Sequence, residues 1–257
     1  MSAAGPAGDA GGSAGGSSPV EAVIFDWGGT LTPWHTIDHL AQWEAFAAGS
    51  GAPQEARPGL ATRLLEAEAH LWARARGEGH RSGALPEVLA AVGLDPVSPR
   101  VAAGLAAYRE FWVPHTITHP QVRPLFEGLR SRGLRIGVLS NTLWSREYHR
   151  GVFERDGVLG FIDGDVYSSE IAHTKPHPQI FAEAARRVGV PAARCVYVGD
   201  RAFEDIHGGH EAGMRAILVP HSDIPLDQLV EIDAVPDAVA HELIDILSIL
   251  DTWASRR

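Results

Sequence analysis

Two hydrophobic rhythms divide the chain. Short β-branched runs, "EAVIFDW" (21–27), "LRIGVLSN" (134–141), "DGDVYSS" (163–169), "RCVYVGD" (194–200) and "RAILVP" (215–220), alternate with amphipathic stretches such as "PQVRPLFEGLRSRG", which closes on Gly133. Near-continuous apolar strands separated by helices predict a parallel sheet covered on both faces. Between the first strand and the rest, roughly residues 36 to 116, only the helical period appears. Leu60, Leu64, Ala67 and Leu71 share one helix face, as do Leu85, Val88, Leu89 and Val92, and Ser98-Pro99 reads as an N-cap followed by a first-turn proline. The predicted fold class is α/β: a doubly wound parallel sheet over 20–34 and 117–257 with an inserted all-helical cap over 35–116. Such an insertion lies over the carboxyl end of the first strand, where open α/β sheets bind ligands.

Residues 1–19, "MSAAGPAGDAGGSAGGSSP", carry neither a basic start nor an apolar run, so a disordered tail is expected and no targeting segment. No run of eighteen apolar residues occurs, and a cytoplasmic location is expected. The net charge of −10 and the absence of a basic block argue against nucleic-acid or anionic-membrane partners. Among 22 basic residues one alone is a lysine, Lys175, so chemistry that needs a lysine has a single place to look. The lone cysteine, Cys195, sits in an apolar run and reads as a small buried hydrophobe.

Polar residues gather where the apolar runs stop: Asp26, then Ser140, Asn141 and Thr142, then Lys175 in "HTKPHPQIF", then Asp200 and Asp205 in "VGDRAFEDIHGGHEAGM". An Asp after a strand is often no more than a turn or cap residue. The order of nucleophile, hydroxyl, lysine and paired acids, each behind its own strand, is more specific. In "FDWGGTL", "VLSNT", "TKPHPQIF" and "VGDRAFEDIHGGHEAGM" the chain resembles the haloacid dehalogenase-like hydrolase superfamily, in the branch with a helical cap after the first motif. The resemblance implies that Asp26 is the nucleophile, Thr142 or Ser140 a phosphoryl-oxygen donor, Lys175 a charge neutraliser, and Asp200 a Mg²⁺ ligand with Asp205 behind it. Asp26 and the Gly28 carbonyl would complete the metal site. The chemistry agrees, because phosphoryl transfer needs a positioned nucleophile with cations and donors around the equatorial oxygens.

One position departs from the family pattern. The second acid of the first motif, which protonates the leaving oxygen in family phosphatases, is Gly28 here. Such acid catalysis is worth about 10²–10⁴-fold. Either the leaving group needs no acid, as in acyl or aryl phosphates, or another residue supplies it. "PWHTIDH" offers His35, Asp38 and His39, with His35 the expected donor. A phosphonoacetaldehyde hydrolase shares this first motif but needs a cap lysine, and 36–116 contains none. A carbon–halogen hydrolase also lacks the second acid and is the main enzymatic alternative. Against it stand the metal-type acid Asp200 and Phe181, where the dehalogenases place a tyrosine. A non-catalytic binding module is the alternative of another class. Trp34 is the expected substrate-facing aromatic, with Trp27 and Trp43 assigned to packing. His173, His177, His207 and His210 match no zinc spacing. The favoured reading is a Mg²⁺-dependent phosphatase of a small phosphorylated metabolite.

Overall fold

The computed structural model describes residues 19–77, 79–224, 230 and 232–255. The expected tail falls outside these residues up to position 18. Six parallel strands form one sheet: β1 (Ala22–Phe25), β2 (Arg135–Ser140), β3 (Gly164–Tyr167), β4 (Cys195–Gly199), β5 (Arg215–Leu218) and β6 (Ala238–Val239), in the order β3-β2-β1-β4-β5-β6. The last of these was not among the predicted strands, because two residues are too short to show any period.

Alternation along β1 sends Val23 and Phe25 to one apolar layer and Ala22 and Ile24 to the other. The first layer is closed by α5 (Val122–Ser131), α6 (Arg146–Arg155) and α8 (Asp245–Ser255), through Leu125, Phe126, Phe153, Ile246 and Leu250. The second is closed by α7 (Pro178–Val188), through Ile180, Phe181, Ala184 and Val188. Each such large side chain contributes about 1.5–3 kcal/mol by leaving water. Cys195 lies in the second layer, where burial pushes its thiol up to about 12.

Between β1 and α5 the chain forms α1 (His39–Gly49), α2 (Arg57–Arg76), α3 (Leu85–Ala91) and α4 (Pro99–Trp112). Asp38 caps α1 by accepting from Leu40 N and Ala41 N at 2.9 and 3.2 Å, and the Ser98 hydroxyl caps α4 by accepting from Val101 N. These helices bury a third apolar cluster of their own, with Trp43, Phe46, Leu64, Val88 and Tyr108 at its centre. Among the described residues no helix is long and apolar enough to cross a membrane.

The strand order carries the functional consequence. From β1 the chain runs outward to β2 and β3, then returns to the other flank of β1 as β4, so β1 and β4 flank the point where the winding reverses. Phe25 is in register with Val198, which sets the residues that follow β1 and β4, Asp26 and Asp200, side by side at the carboxyl edge.

Candidate active site

Asp26 leaves β1 with its N–H still bound to Val198 O at 2.8 Å. The chain then turns back through Trp27–Thr32, held by Gly29 N to Thr32 O (2.7 Å) and Thr32 N to Trp27 O (2.9 Å). The Gly28 carbonyl takes no part in those bonds. Gly29 has φ +95° and lies so close to Asp200 that a Cβ would sit 2.2 Å from its carboxylate oxygen. Position 29 therefore has to be glycine for the two strand ends to meet. Gly28 is the opposite case, because a Cβ there meets nothing within 4 Å.

Lys175 stands at the centre of the site, 3% exposed. Its ammonium reaches Asp26 Oδ1 at 2.9 Å, Asp205 Oδ1 at 2.7 Å and the Tyr197 hydroxyl at 3.0 Å, which accounts for its three N–H bonds. Burial pushes this ammonium down, but Asp205 and Asp26 outweigh burial and hold it above its ordinary range. Asp205 comes from a π-helical turn, Ala202–His207, whose widened backbone lets its other oxygen accept from Arg201 N at 2.9 Å. Asn141 faces Lys175 from β2 and clamps its backbone: Lys175 N donates to Asn141 Oδ1 at 2.8 Å, and Asn141 Nδ2 donates to Lys175 O at 3.1 Å.

Three buried acids thus share one lysine. Ligand oxygens of Asp26, Asp200 and Asp205 lie within 4.8 Å of one another. Among the described residues Asp200 Oδ2 is buried without a hydrogen-bond partner, and Oδ1 has only a long bond from the Thr30 hydroxyl at 3.4 Å. Burial, then Asp205 and Asp26, push the Asp200 carboxyl well above its usual range. Burial also raises Asp26, and Lys175 pulls it back only as far as about 6. An unpartnered carboxylate beside two others is costly in a dry site unless a cation joins them. The triad therefore fits a hard divalent ion with oxygen ligands.

Lys175→Met removes the only ammonium from this cluster and leaves Asp26 and Asp205 uncompensated. The expected loss is about 3–5 kcal/mol of stability in metal-free buffer. Urea denaturation with EDTA present checks it, and a loss below about 1 kcal/mol would mean that the acids do not depend on the lysine.

The two candidate hydroxyls differ in what they touch. The Thr142 hydroxyl accepts from Trp144 N at 3.0 Å and is bonded to His149 Nε2 at 3.1 Å. His149 is fully buried, stacked 4.3 Å from Tyr167, and held neutral because burial lowers it to about 3. The Ser140 hydroxyl, at the end of β2, makes only a 3.5 Å contact with the neighbouring Asn141 carbonyl. Ser140 is thus the hydroxyl left available, a distinction that depends on His149 and is invisible in the spacing of "SNT".

A cavity of about 380 Å³ opens above these strand ends. It brings together Asp26, Gly28, Ser140, Asn141, Thr142, Lys175 and Trp34, and adds His39, Glu68, Trp72, Tyr108, Trp112, Trp144, Arg201 and Phe203. Asp200 and Asp205 are not among the residues that line it. His35 is not brought to the cavity. It is exposed, and its Nε2 bonds to His115 Nδ1 at 2.7 Å. His39, four residues on, takes the cavity position between Trp34 and Trp112, with ring centroids 6.1 Å from each. The pattern missed Glu68, which reads as one more polar residue on α2. It accepts from Trp43 Nε1 at 2.7 Å and Gln42 Nε2 at 2.8 Å.

The helical segment is also clipped to the loop before Lys175. Ser82 N donates to Ala172 O at 3.2 Å and Thr174 N to His80 O at 2.9 Å, around an antiparallel bridge between Arg81 and His173.

Comparison with known proteins agrees with this geometry. The family model of the haloacid dehalogenase-like hydrolases matches residues 20–213. A glyceraldehyde 3-phosphate phosphatase from Methanopyrus kandleri is 32% identical, over 89% of this chain and 97% of its own. One of the same description from Methanocaldococcus jannaschii is 26% identical, over 78% and 85%. Among solved structures, a 2-haloacid dehalogenase from Pseudomonas syringae pv. Tomato DC3000 has a TM-score of 0.60 at 25% identity, covering 91% of this chain and 99% of its own. A HAD phosphatase from Thermococcus onnurineus has a TM-score of 0.60 at 20% identity, with 90% and 98% covered. With its strand-end acids gathered at the reversal of the sheet, the chain belongs to the haloacid dehalogenase-like hydrolases.

Proposed function

We propose that this protein is a Mg²⁺-dependent phosphatase of a small phosphorylated metabolite, working through an aspartyl-phosphate on Asp26. The observation that carries the reading is the buried Asp200 carboxylate, without a partner on Oδ2, beside the Asp26–Lys175 pair. Halide displacement needs no cation, and a dry acid at position 200 would burden such an enzyme for no return. The relatives described as glyceraldehyde 3-phosphate phosphatases support the same choice.

In this reading Asp26, Asp200, Asp205 and the Gly28 carbonyl hold Mg²⁺. Bound there, the cation supplies positive charge to the phosphoryl oxygens. Lys175 fixes one Asp26 oxygen and adds a second positive charge, while the Ser140 hydroxyl donates to a phosphoryl oxygen. Asp26 attacks phosphorus and the ester oxygen leaves. Water then hydrolyses the aspartyl-phosphate, so that one hard step becomes two easier ones. Asn141 acts through Lys175 by holding its backbone in place. The helical segment serves as a cap that excludes water during the first step. Its opening about linkers near Pro33 and Pro114–Pro120 pivots on the clip at 80–82, and small-angle scattering that is unchanged by ligand would count against that motion.

The test is phosphate release by the full chain from a panel of phosphate esters, with EDTA and with Mg²⁺ restored. Release that stops with EDTA and returns with Mg²⁺ is expected. Chloride release from 2-chloropropionate with no phosphate from any ester would turn the assignment to carbon–halogen hydrolysis, the reading that Gly28 otherwise favours.

A further inference from the structure

The cavity above Asp26 bears on the leaving group. Rings line much of its wall, among them Trp72, Trp112, Trp144 and Phe203, and the charged side chains of Arg76, Arg201 and Glu204 line it as well. Two of the indole edges are already engaged inside the protein. Trp112 Nε1 donates to Gln42 Oε1 at 2.8 Å, and Trp144 Nε1 donates to the Tyr108 hydroxyl at 3.2 Å. Glu68 accepts from Gln42 and Trp43, so one carboxylate ties the wall of α1 and α2 together. Trp112 and Trp144 meet edge to face, with centroids 4.9 Å apart at 78°, and form a fixed corner. With those N–H groups taken, the corner of Trp112 and Trp144 offers a ligand π faces and carbon edges, the surface on which another aromatic ring packs best, while the Trp34 indole N–H is buried without a partner among the described residues.

A second observation, independent of the walls, points the same way. Position 28 has no side chain, and a Cβ built there meets no atom of the described residues within 4 Å. An alkoxide needs a proton to leave, since its parent hydroxyl is about as weak an acid as water. A phenolate, with a pKa of about 10, leaves without one.

From the two together we infer that the enzyme hydrolyses phosphate monoesters of aromatic hydroxyls, the ring seated among Trp72, Trp112 and Trp144 with the phosphate at Asp26. This inference rests on the phosphatase reading above. In the first step the bond from Asp26 oxygen to phosphorus forms as the bond from phosphorus to the aryl oxygen breaks. The phenolate departs with the electron pair and takes its proton from solvent. In the second step water oxygen bonds to phosphorus, the Asp26 carboxylate leaves, and the proton of water passes to solvent.

The experiment compares kcat/KM of the Mg²⁺-loaded full chain on 1-naphthyl phosphate, phenyl phosphate, acetyl phosphate and glycerol 3-phosphate. Both aryl esters should exceed glycerol 3-phosphate by about 100-fold or more, the low end of what a general acid supplies. Trp72→Leu should raise KM for 1-naphthyl phosphate by about tenfold, as expected when one stacked ring is lost, while acetyl phosphate moves less than about twofold. Glycerol 3-phosphate matching the aryl esters, or acetyl phosphate surpassing both, overturns the inference and leaves the phosphatase reading intact. Phosphate from none of the four overturns both. The substrate comparison is made on the wild type, so it decides the matter even if Trp72→Leu does not fold.

Discussion

Asp26→Asn is expected to abolish phosphate release, by about 10⁴-fold or more, and at the same time to make the metal-free protein harder to unfold at neutral pH. The first effect follows from losing the attacking oxygen. The second follows from burial. Asp26 is 5% exposed and its carboxyl is raised from 3.8 to about 6, mainly by desolvation, against the pull of Lys175. The folded state therefore binds this proton more tightly than the unfolded chain does. Between pH 3.8 and about 6 the carboxylate's contribution to stability falls as pH rises, and above that range the cost is constant, at roughly 3 kcal/mol. The amide carries no charge and still offers an oxygen to Lys175. The variant's advantage should therefore appear above pH 6, shrink through pH 5 and vanish near pH 4, and added Mg²⁺ should narrow it by stabilising the wild type alone. Thermal unfolding of both proteins across that range, with EDTA and then with Mg²⁺, checks the sign. A variant less stable at every pH would mean that the ion pair with Lys175 outweighs the cost of burying the charge.

Gly28→Asp is expected to raise turnover of alkyl phosphates by about 10²–10⁴-fold, the factor that a positioned general acid supplies. The substitution has room, because a Cβ at this position meets no atom within 4 Å. The backbone there is also ordinary: the turn's left-handed residue is Gly29, and Gly28 is not among the glycines of positive φ. Phenyl phosphate should gain far less, because its leaving group already departs unprotonated, so the ratio of aryl to alkyl turnover should collapse. Parallel measurement of kcat on phenyl phosphate and glycerol 3-phosphate, in wild type and variant, reads that ratio directly. An unchanged ratio would mean that a proton donor is already present, and His39, held between Trp34 and Trp112 at the cavity wall, is the residue to replace next.

Much of the candidate site could be read along the chain because several of its residues stand at strand ends. Asp26, Ser140 and Asp200 stand where an apolar run stops, and a parallel sheet brings all such stops to one edge. Lys175 was singled out by composition alone. The helical period of Leu60, Leu64, Ala67 and Leu71 was legible too, since it needs only local geometry, and these residues do pack into one apolar cluster. His35 shows the limit of that kind of reading. It lies nine residues from Asp26, yet its ring turns to His115, eighty positions away, and His39 enters the cavity instead.

The sequence by itself determined the class of fold, the edge at which chemistry gathers, the identities of the nucleophile, lysine and acids as candidates, and the absence of a side-chain acid at position 28. Those properties depend on the period of the backbone and on residue type, both of which are local. Tertiary structure alone decided which hydroxyl is free, because the Thr142 oxygen is engaged by buried His149, whereas Ser140 is not. It also decided that Asn141 clamps the backbone of Lys175, that Asp200 keeps an oxygen without a partner, and that rings from positions 34 to 203 close one cavity around the site. Each of these rests on side chains brought together by packing between elements, and no pattern of neighbours along the chain encodes which partners will meet.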